Sequence, residues 1–147
     1  GSGGLVYALY AHDNVSQPAA YVRVGNADWR VAGASPLPLH TWTHLATTYD
    51  GAILRLYVNG QEVGNRAVGG AIQVSTGRLR MGGNAVWAEW FAGQIDEVRI
   101  YNRALTPAQI QVDMATPMPS CMFRKPLGAC SAFPAASPLK EAAEKVV

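Results

Sequence analysis

The chain has 147 residues, of which 49% are hydrophobic and 15% charged, and its formal net charge is +2. This length and composition favour one folded domain with its own core and exclude a disordered chain. The small charge argues against nucleic acid as a partner, and no apolar run approaches membrane-spanning length, which argues against membrane insertion.

Composition divides the chain near residue 115. Residues 1–114 hold no lysine, whereas all three lysines and both cysteines lie in residues 115–147. We therefore predict a linker or expression scar at residues 1–4, a domain over 5–114 and a Pro/Ala-rich tail of unknown role over 115–147. Cys121 and Cys130 either pair as a disulfide or remain two free thiols, depending on the compartment.

The pattern along the domain is typical of short strands. Residues 4–12, 21–24 and 29–31 are apolar or alternating and predict three strands. Residues 42–49 and 53–58 flank Asp50-Gly51, and Asn59-Gly60 leads into a return at 61–63, so both dipeptides predict hairpin turns. Residues 78–81 and 95–101 predict two further strands. This order predicts an antiparallel β-sandwich.

One short helix is predicted near the end of the domain. Thr106 is a suitable N-cap, Pro107 suits the first helical position, and Gln109 completes a capping box. Ile110 and Met114 are four residues apart and share the predicted buried side. Residues 139–147 are rich in Lys, Glu and Ala and predict a weak terminal helix.

Three strings, in this order and spacing, carry a family resemblance: WTHLATTYDG at 42–51, LRLYVNG at 54–60 and FAGQIDEVRIYNRAL at 91–105. Residues 7–114 resemble the LamG-like (laminin G, concanavalin A-like lectin/glucanase) jelly-roll family. The resemblance implies an all-β fold, an antiparallel sandwich of the concanavalin A-like jelly-roll type with one short C-terminal helix. Family members usually begin with several strands before the point where this chain starts. We therefore expect a fragment, or a sandwich completed by another chain or by the tail.

Asp96 is the candidate metal ligand. It lies among Ile95, Val98 and Ile100, where an unpaired carboxylate would be costly. The resemblance implies a structural calcium ion held by the aspartate of this strand, because calcium prefers carboxylate and carbonyl oxygens. The alternative is that Asp96 pairs with Arg99 or accepts backbone N–H groups.

Aromatic residues supply the candidate ligand-binding sites. Trp87, Glu89 and Trp90 form one cluster, in which indole faces suit sugar rings and the carboxylate suits hydroxyl groups. Trp29, Asp28 and Asn26 form a second cluster, predicted on a loop. The alternative for each tryptophan is that it fills the sandwich or covers an edge.

The catalytic branch of the family carries Glu-x-Asp-x-x-Glu, or a close variant, on one strand. Here Gln94 stands where the nucleophile is expected and Val98 where the second Glu is expected, so we predict no enzyme. Glu97 and Arg99 are predicted to form an exposed ion pair. The resemblance implies a non-catalytic binding module of an extracellular or cell-surface protein, with a glycan or a protein surface as ligand. The alternatives are a structural spacer beside a catalytic domain and a degenerate glucanase.

Overall fold

A computed structural model describes residues 5–118 and 144–146, and nine strands and one helix lie in these ranges. The strands are β1 (Tyr7–Tyr10), β2 (Ala19–Val24), β3 (Ala27–Ala32), β4 (Leu45–Tyr49), β5 (Ile53–Val58), β6 (Gln61–Ala67), β7 (Gly83–Asn84), β8 (Glu89–Trp90) and β9 (Glu144–Val146). The helix is α1 (Pro107–Ala115). The first sheet has the order β1-β2-β3, the second β6-β5-β4-β9, and β7 pairs with β8 in a small hairpin. Each pairing among these strands is antiparallel.

The main core lies between the first and second sheets. Val22 and Val31 of the first sheet pack with Leu54, Leu56 and Tyr49 of the second. Alternation along each strand places these residues on one side of their sheet, so the two sheets bury their apolar sides against each other. The predicted all-β sandwich is confirmed.

Both predicted hairpin turns are present, but different interactions stabilise them. Asn59 and Gly60 have φ of 50° and 74°, as a type I′ turn requires at its two central residues. At the first turn the Asp50 carboxylate accepts hydrogen bonds from the N–H groups of Ala52 and Ile53 at 2.9 and 2.7 Å. The side chain of Asp50 therefore shapes this turn by a local Asx contact.

Helix α1 begins as its sequence predicts. The Thr106 hydroxyl accepts from Gln109 N, and the Gln109 side chain accepts from Thr106 N, which completes the capping box. Ile110 is buried with Leu105, Ala46 and Tyr57 in a second core cluster, whereas Met114 is only half-buried. The helix thus closes one end of the second sheet. No helix in the described ranges is long and apolar enough to cross a membrane.

Two predicted strands are wrong. Residues 78–81 are exposed and form no strand, and residues 95–101 form none either, apart from an isolated bridge at Ile100. Glu97 has φ of 52°, and its N–H donates to the carboxylate of Asp96 at 2.8 Å. This left-handed residue interrupts the extended backbone that the β-branched sequence favours, so a local contact overrides strand propensity there.

The predicted terminal helix is also wrong where the structure describes it. Residues 144–146 form β9, which pairs antiparallel with β4. Helices of this length are marginal in water without tertiary packing, and the edge of β4 offers the backbone another set of partners. Residues 139–143, Cys121 and Cys130 lie outside the described residues.

Candidate functional site

The hairpin of residues 83–90, here called the Trp hairpin, presents two tryptophans to solvent. Trp87 is 61% exposed and Trp90 72% exposed. The buried Asn84 accepts the Trp87 N–H through Oδ1 at 2.8 Å, which fixes the turn between β7 and β8. Large aromatic surfaces held this far out of a core are available for a ligand.

Glu89 ties the Trp hairpin to β1. Its carboxylate accepts hydrogen bonds from the Tyr10 hydroxyl at 2.9 Å and from Asn84 Nδ2 at 2.8 Å. Asn84 Nδ2 also lies 3.3 Å from the Tyr10 oxygen, so the three side chains form one cluster. Burial, and then the Glu89 carboxylate, raise the pKa of Tyr10 well above its usual range. Glu89 therefore acts first as an anchor of the hairpin.

Tyr10 also lies at the border of what we call the polar face, the side of the first sheet opposite the main core. Beside three alanines, alternation and strand register place five polar residues there: Tyr10, Tyr21, Arg23, Asp28 and Arg30. The rings of Tyr10 and Tyr21 meet edge to face, with centroids 5.6 Å apart. Tyr10 thus connects the Trp hairpin with a surface of aromatic and charged side chains.

Ion pairs organise the polar face. Arg30 contacts the Asp13 carboxylate and the Tyr21 hydroxyl, the latter at 3.1 Å. Burial raises the pKa of Asp13, but hydrogen bonds from Val15 N and Arg30 outweigh it, so the pKa lies below its usual range. Arg23 pairs with Asp28 at 2.9 Å, and Asp28 is 53% exposed on its side chain. These groups offer donors and acceptors held in fixed positions.

The second predicted cluster does not form. Trp29 and Asp28 lie on β3 rather than on a loop, and because they are adjacent they point to opposite sides of the sheet. Trp29 packs against the main core and under the Arg66 guanidinium, 4.9 Å from the ring centroid. Its Nε1 is buried and has no hydrogen-bond partner within residues 5–118. Asp28 stays on the polar face, whereas Trp29 fills a structural position.

Asp96 is exposed and does not lie on a strand, so the burial cost that singled it out does not apply. In the described ranges no three His, Cys, Asp or Glu side chains come together as a metal site. The acidic side chains around Asp96 therefore do not by themselves fit a calcium cage, which would need further oxygen ligands. The Asp96 carboxylate contacts the N–H of Glu97, as the backbone alternative predicted.

Arg99 is the centre of a half-buried ionic cluster, not half of an exposed pair. It contacts the carboxylates of Asp113 and Glu97, and the side chain of Arg99 is 11% exposed. Tyr101 donates to Asp113 at 2.5 Å. Burial lowers the pKa of Arg99, but the Asp113 carboxylate outweighs this and raises it above its usual range. The cluster joins residues 97–101 to the end of α1.

The same helix lines a shallow groove of ≈ 370 Å³, between Tyr101, Leu105, Ala108 and Val112. Asp113 at its edge is already bound to Arg99 and Tyr101. The groove therefore offers little free polar chemistry, and the Trp hairpin remains the better candidate.

Comparison with known proteins gives the family. A model described as the concanavalin A-like lectin/glucanases superfamily matches residues 1–111. The chain belongs to this superfamily. It is similar to Pappalysin-1 of Mus musculus, with 35% identity over 94 residues, and to Pappalysin-1 of Homo sapiens, with 36% identity over 80 residues. These matches cover 57% and 51% of this chain but only 6% and 5% of those proteins.

A solved structure from Clostridium thermocellum, an S-layer domain-containing protein, is also similar. It has a TM-score of 0.47 and 22% identity, over 68% of this chain and 52% of that one.

The superfamily includes lectins and glucanases by its name. In this member residues 94–98 form no strand, so they do not provide one strand on which two carboxylates could face a sugar.

Sequence reasoning missed the residues that hold the candidate site in place. Tyr10 and Asn84 anchor Glu89, and Tyr21 and Arg30 extend the polar face. The sequence predicts a strand over residues 4–12, which includes Tyr10, but not the side of the sheet on which Tyr10 lies. No local pattern, however, connects Tyr10 with Glu89, because the two are separated by 79 positions.

Proposed function

We propose that this chain is a non-catalytic glycan-binding module of an extracellular or cell-surface protein. The observation that supports it is the pair of exposed tryptophans on a hairpin whose backbone and base are held by Asn84, Glu89 and Tyr10. Indole faces stack on the CH faces of sugar rings while the N–H finds a polar partner.

The anchoring of the hairpin is part of this proposal. A loop that is ordered before a ligand arrives loses less conformational entropy on binding. Tyr10 and Asn84 both donate to Oε2 of Glu89, so in the proposed site the tryptophans provide contact area and Glu89 provides rigidity. The polar face beyond Tyr10 supplies hydroxyl, guanidinium and carboxylate groups for sugar hydroxyls.

The test is a glycan array followed by titration calorimetry with the best ligand. Trp87→Ala and Trp90→Ala should each weaken binding about tenfold or more, because aromatic anchors dominate small interfaces. Trp42→Ala is the matched control, since Trp42 is 56% exposed but lies outside the Trp hairpin. Equal losses in all three variants, or none in the first two, would remove the hairpin from the proposal.

Three other functions give different results from a glycan-binding module. A protein ligand or a structural spacer beside a catalytic domain predicts an array without selective signal. A degenerate glucanase predicts release of reducing sugar from β-glucans. The structure favours none of the three, because no described observation points to a protein partner at the hairpin and residues 94–98 form no strand.

A structural calcium ion at Asp96 stays a prediction from the family resemblance. The exposed carboxylate has one described contact, with the Glu97 N–H, and so keeps oxygen lone pairs for a cation. The remaining ligands would be carbonyl oxygens or water, which calcium accepts.

A further inference from the structure

At one edge of the second sheet lies β6, and at the other edge the short strand β9 covers β4. β6 forms one edge, and most of its residues are exposed, with Glu62 and Arg66 among them. Its pairing with β5 shifts register between Leu56 and Tyr57. Charges and an irregular register are features that prevent an edge strand from pairing with another chain.

β4 has none of these features. All five of its residues, Leu45 to Tyr49, are buried, and none is charged or proline. β5 covers one side of β4, and among the described residues only the three of β9 cover the other. Without β9, a regular and uncharged strand would present its free backbone groups to solvent, which favours pairing with any extended segment.

The backbone geometry identifies the groups involved. His44 O accepts the Asn59 N–H at 2.8 Å, so His44 faces β5. Because backbone groups alternate between the two sides of an antiparallel strand, Leu45 and Thr47 face β9, whereas Ala46 and Thr48 face β5. The register opposes Leu45 to Val146 and Thr47 to Glu144, so the N–H groups of residues 144 and 146 point at β4 and that of Lys145 points away.

We propose that the edge of β4 is a strand-binding site, and that residues 144–146 occupy it as a removable cap. This inference goes beyond glycan binding and uses a different surface. The cap suits an outermost position, because Glu144 and Lys145 are charged residues of the kind that protect edges. Recognition of an extended segment through main-chain hydrogen bonds is a general mode of peptide binding.

Hydrogen exchange, followed amide by amide in the full chain, tests the proposal. Glu144→Pro removes an N–H that points at β4. Lys145→Pro is the matched control, because it introduces the same ring where the N–H points away from β4. We expect Glu144→Pro to speed exchange at Leu45 and Thr47 about tenfold or more, with Ala46 and Thr48 unchanged. Lys145→Pro should change neither pair. An excess of a peptide corresponding to residues 140–147 should restore protection in Glu144→Pro.

Three results would overturn the proposal. Unchanged exchange at Leu45 and Thr47 would show that residues 144–146 do not cover the edge. Equal loss of protection at Ala46 and Thr48 would make β9 an integral strand rather than a removable cap. Protection at Leu45 that rises with protein concentration, and does not respond to the peptide, would assign the site to a second copy of the chain.

Discussion

Tyr10 donates a hydrogen bond to Glu89 across 2.9 Å, and this contact, beside the longer one from Asn84, fastens the Trp hairpin to the first strand of the sandwich. The two residues are separated by 79 positions, so the contact exists only in the folded chain. It also explains why a carboxylate predicted to bind a ligand is directed towards the protein. The proposed site therefore depends on residues that never touch the ligand.

Replacing Tyr10 by Phe removes this donor and leaves Glu89 with Asn84. Because the acceptor is charged and the cluster is half-buried, we expect the free energy of unfolding to fall by about 1–2 kcal/mol. Urea unfolding measures the change. Tyr21→Phe is the matched control, and it should cost less because Arg30 keeps the Asp13 carboxylate as a second partner. Equal costs for the two variants would contradict the anchoring role of Tyr10.

Gly83 is required because the Trp90 ring lies against it. A Cβ at position 83 would come within 2.5 Å of Trp90 Cε3 and 2.7 Å of the Glu89 carbonyl oxygen. Gly83→Ala must therefore displace the indole or the strand pair, and we expect a cost of about 1–3 kcal/mol. Thermal unfolding and tryptophan fluorescence report the two effects. Gly69→Ala, where no atom lies within 4 Å of the added Cβ, should leave both unchanged.

The contact between Asp13 and Arg30 makes stability depend on acid pH. The pKa of Asp13 is lower in the folded chain than its ordinary value of 3.8. The stabilisation is therefore complete above that value and is lost as the pH falls through the lower folded pKa. Asp13→Asn should cost about 1–3 kcal/mol at neutral pH, and its difference from wild type should shrink below pH 3.8.

Urea unfolding at a series of pH values from about 7 down to about 2 measures the difference in unfolding free energy between Asp13→Asn and wild type. Asp28→Asn provides the control, because its pair with Arg23 is largely exposed and such pairs contribute little. A constant difference between Asp13→Asn and wild type across this range would show that Asp13 does not carry the pH dependence.

Calcium at Asp96 has a direct thermal readout. If the ion binds the native chain, the unfolding midpoint rises with calcium and falls with chelator, because a ligand of the folded state stabilises it by mass action. Asp96→Asn should abolish the shift, while Asp28→Asn should retain it. An unfolding midpoint that changes with neither calcium nor chelator would contradict the predicted calcium site.

Local chemistry predicted the parts of the fold that are locally determined. Asn59-Gly60 turns the chain where its two positive φ values are required, and Thr106 with Gln109 caps α1. The strand predicted at 95–101 was wrong. Its β-branched residues favour an extended backbone, but the Asp96–Glu97 contact and the hydrogen bond of Arg99 to Asp113 in α1 favour a different one. That competition involves Asp113, fourteen positions away from Arg99.

The candidate site was predictable only in part. Trp87 and Trp90 stand out in the sequence and are exposed in the structure, whereas Trp29 looks the same in the sequence and is packed against the core. The difference arises from strand register, because a shift of one residue would move Trp29 to the polar face. Composition cannot supply that register.

The Arg99 cluster determines where this domain can be cut. The guanidinium donates to the backbone carbonyls of Asp113 and Thr116, and Glu97 accepts the N–H of Met118 at 3.0 Å. The superfamily match ends at residue 111, before all three of these partners. A fragment that ended at residue 111 would leave the buried Arg99 guanidinium without the Asp113 carboxylate. A cleavage that preserves the fold must therefore fall after Met118.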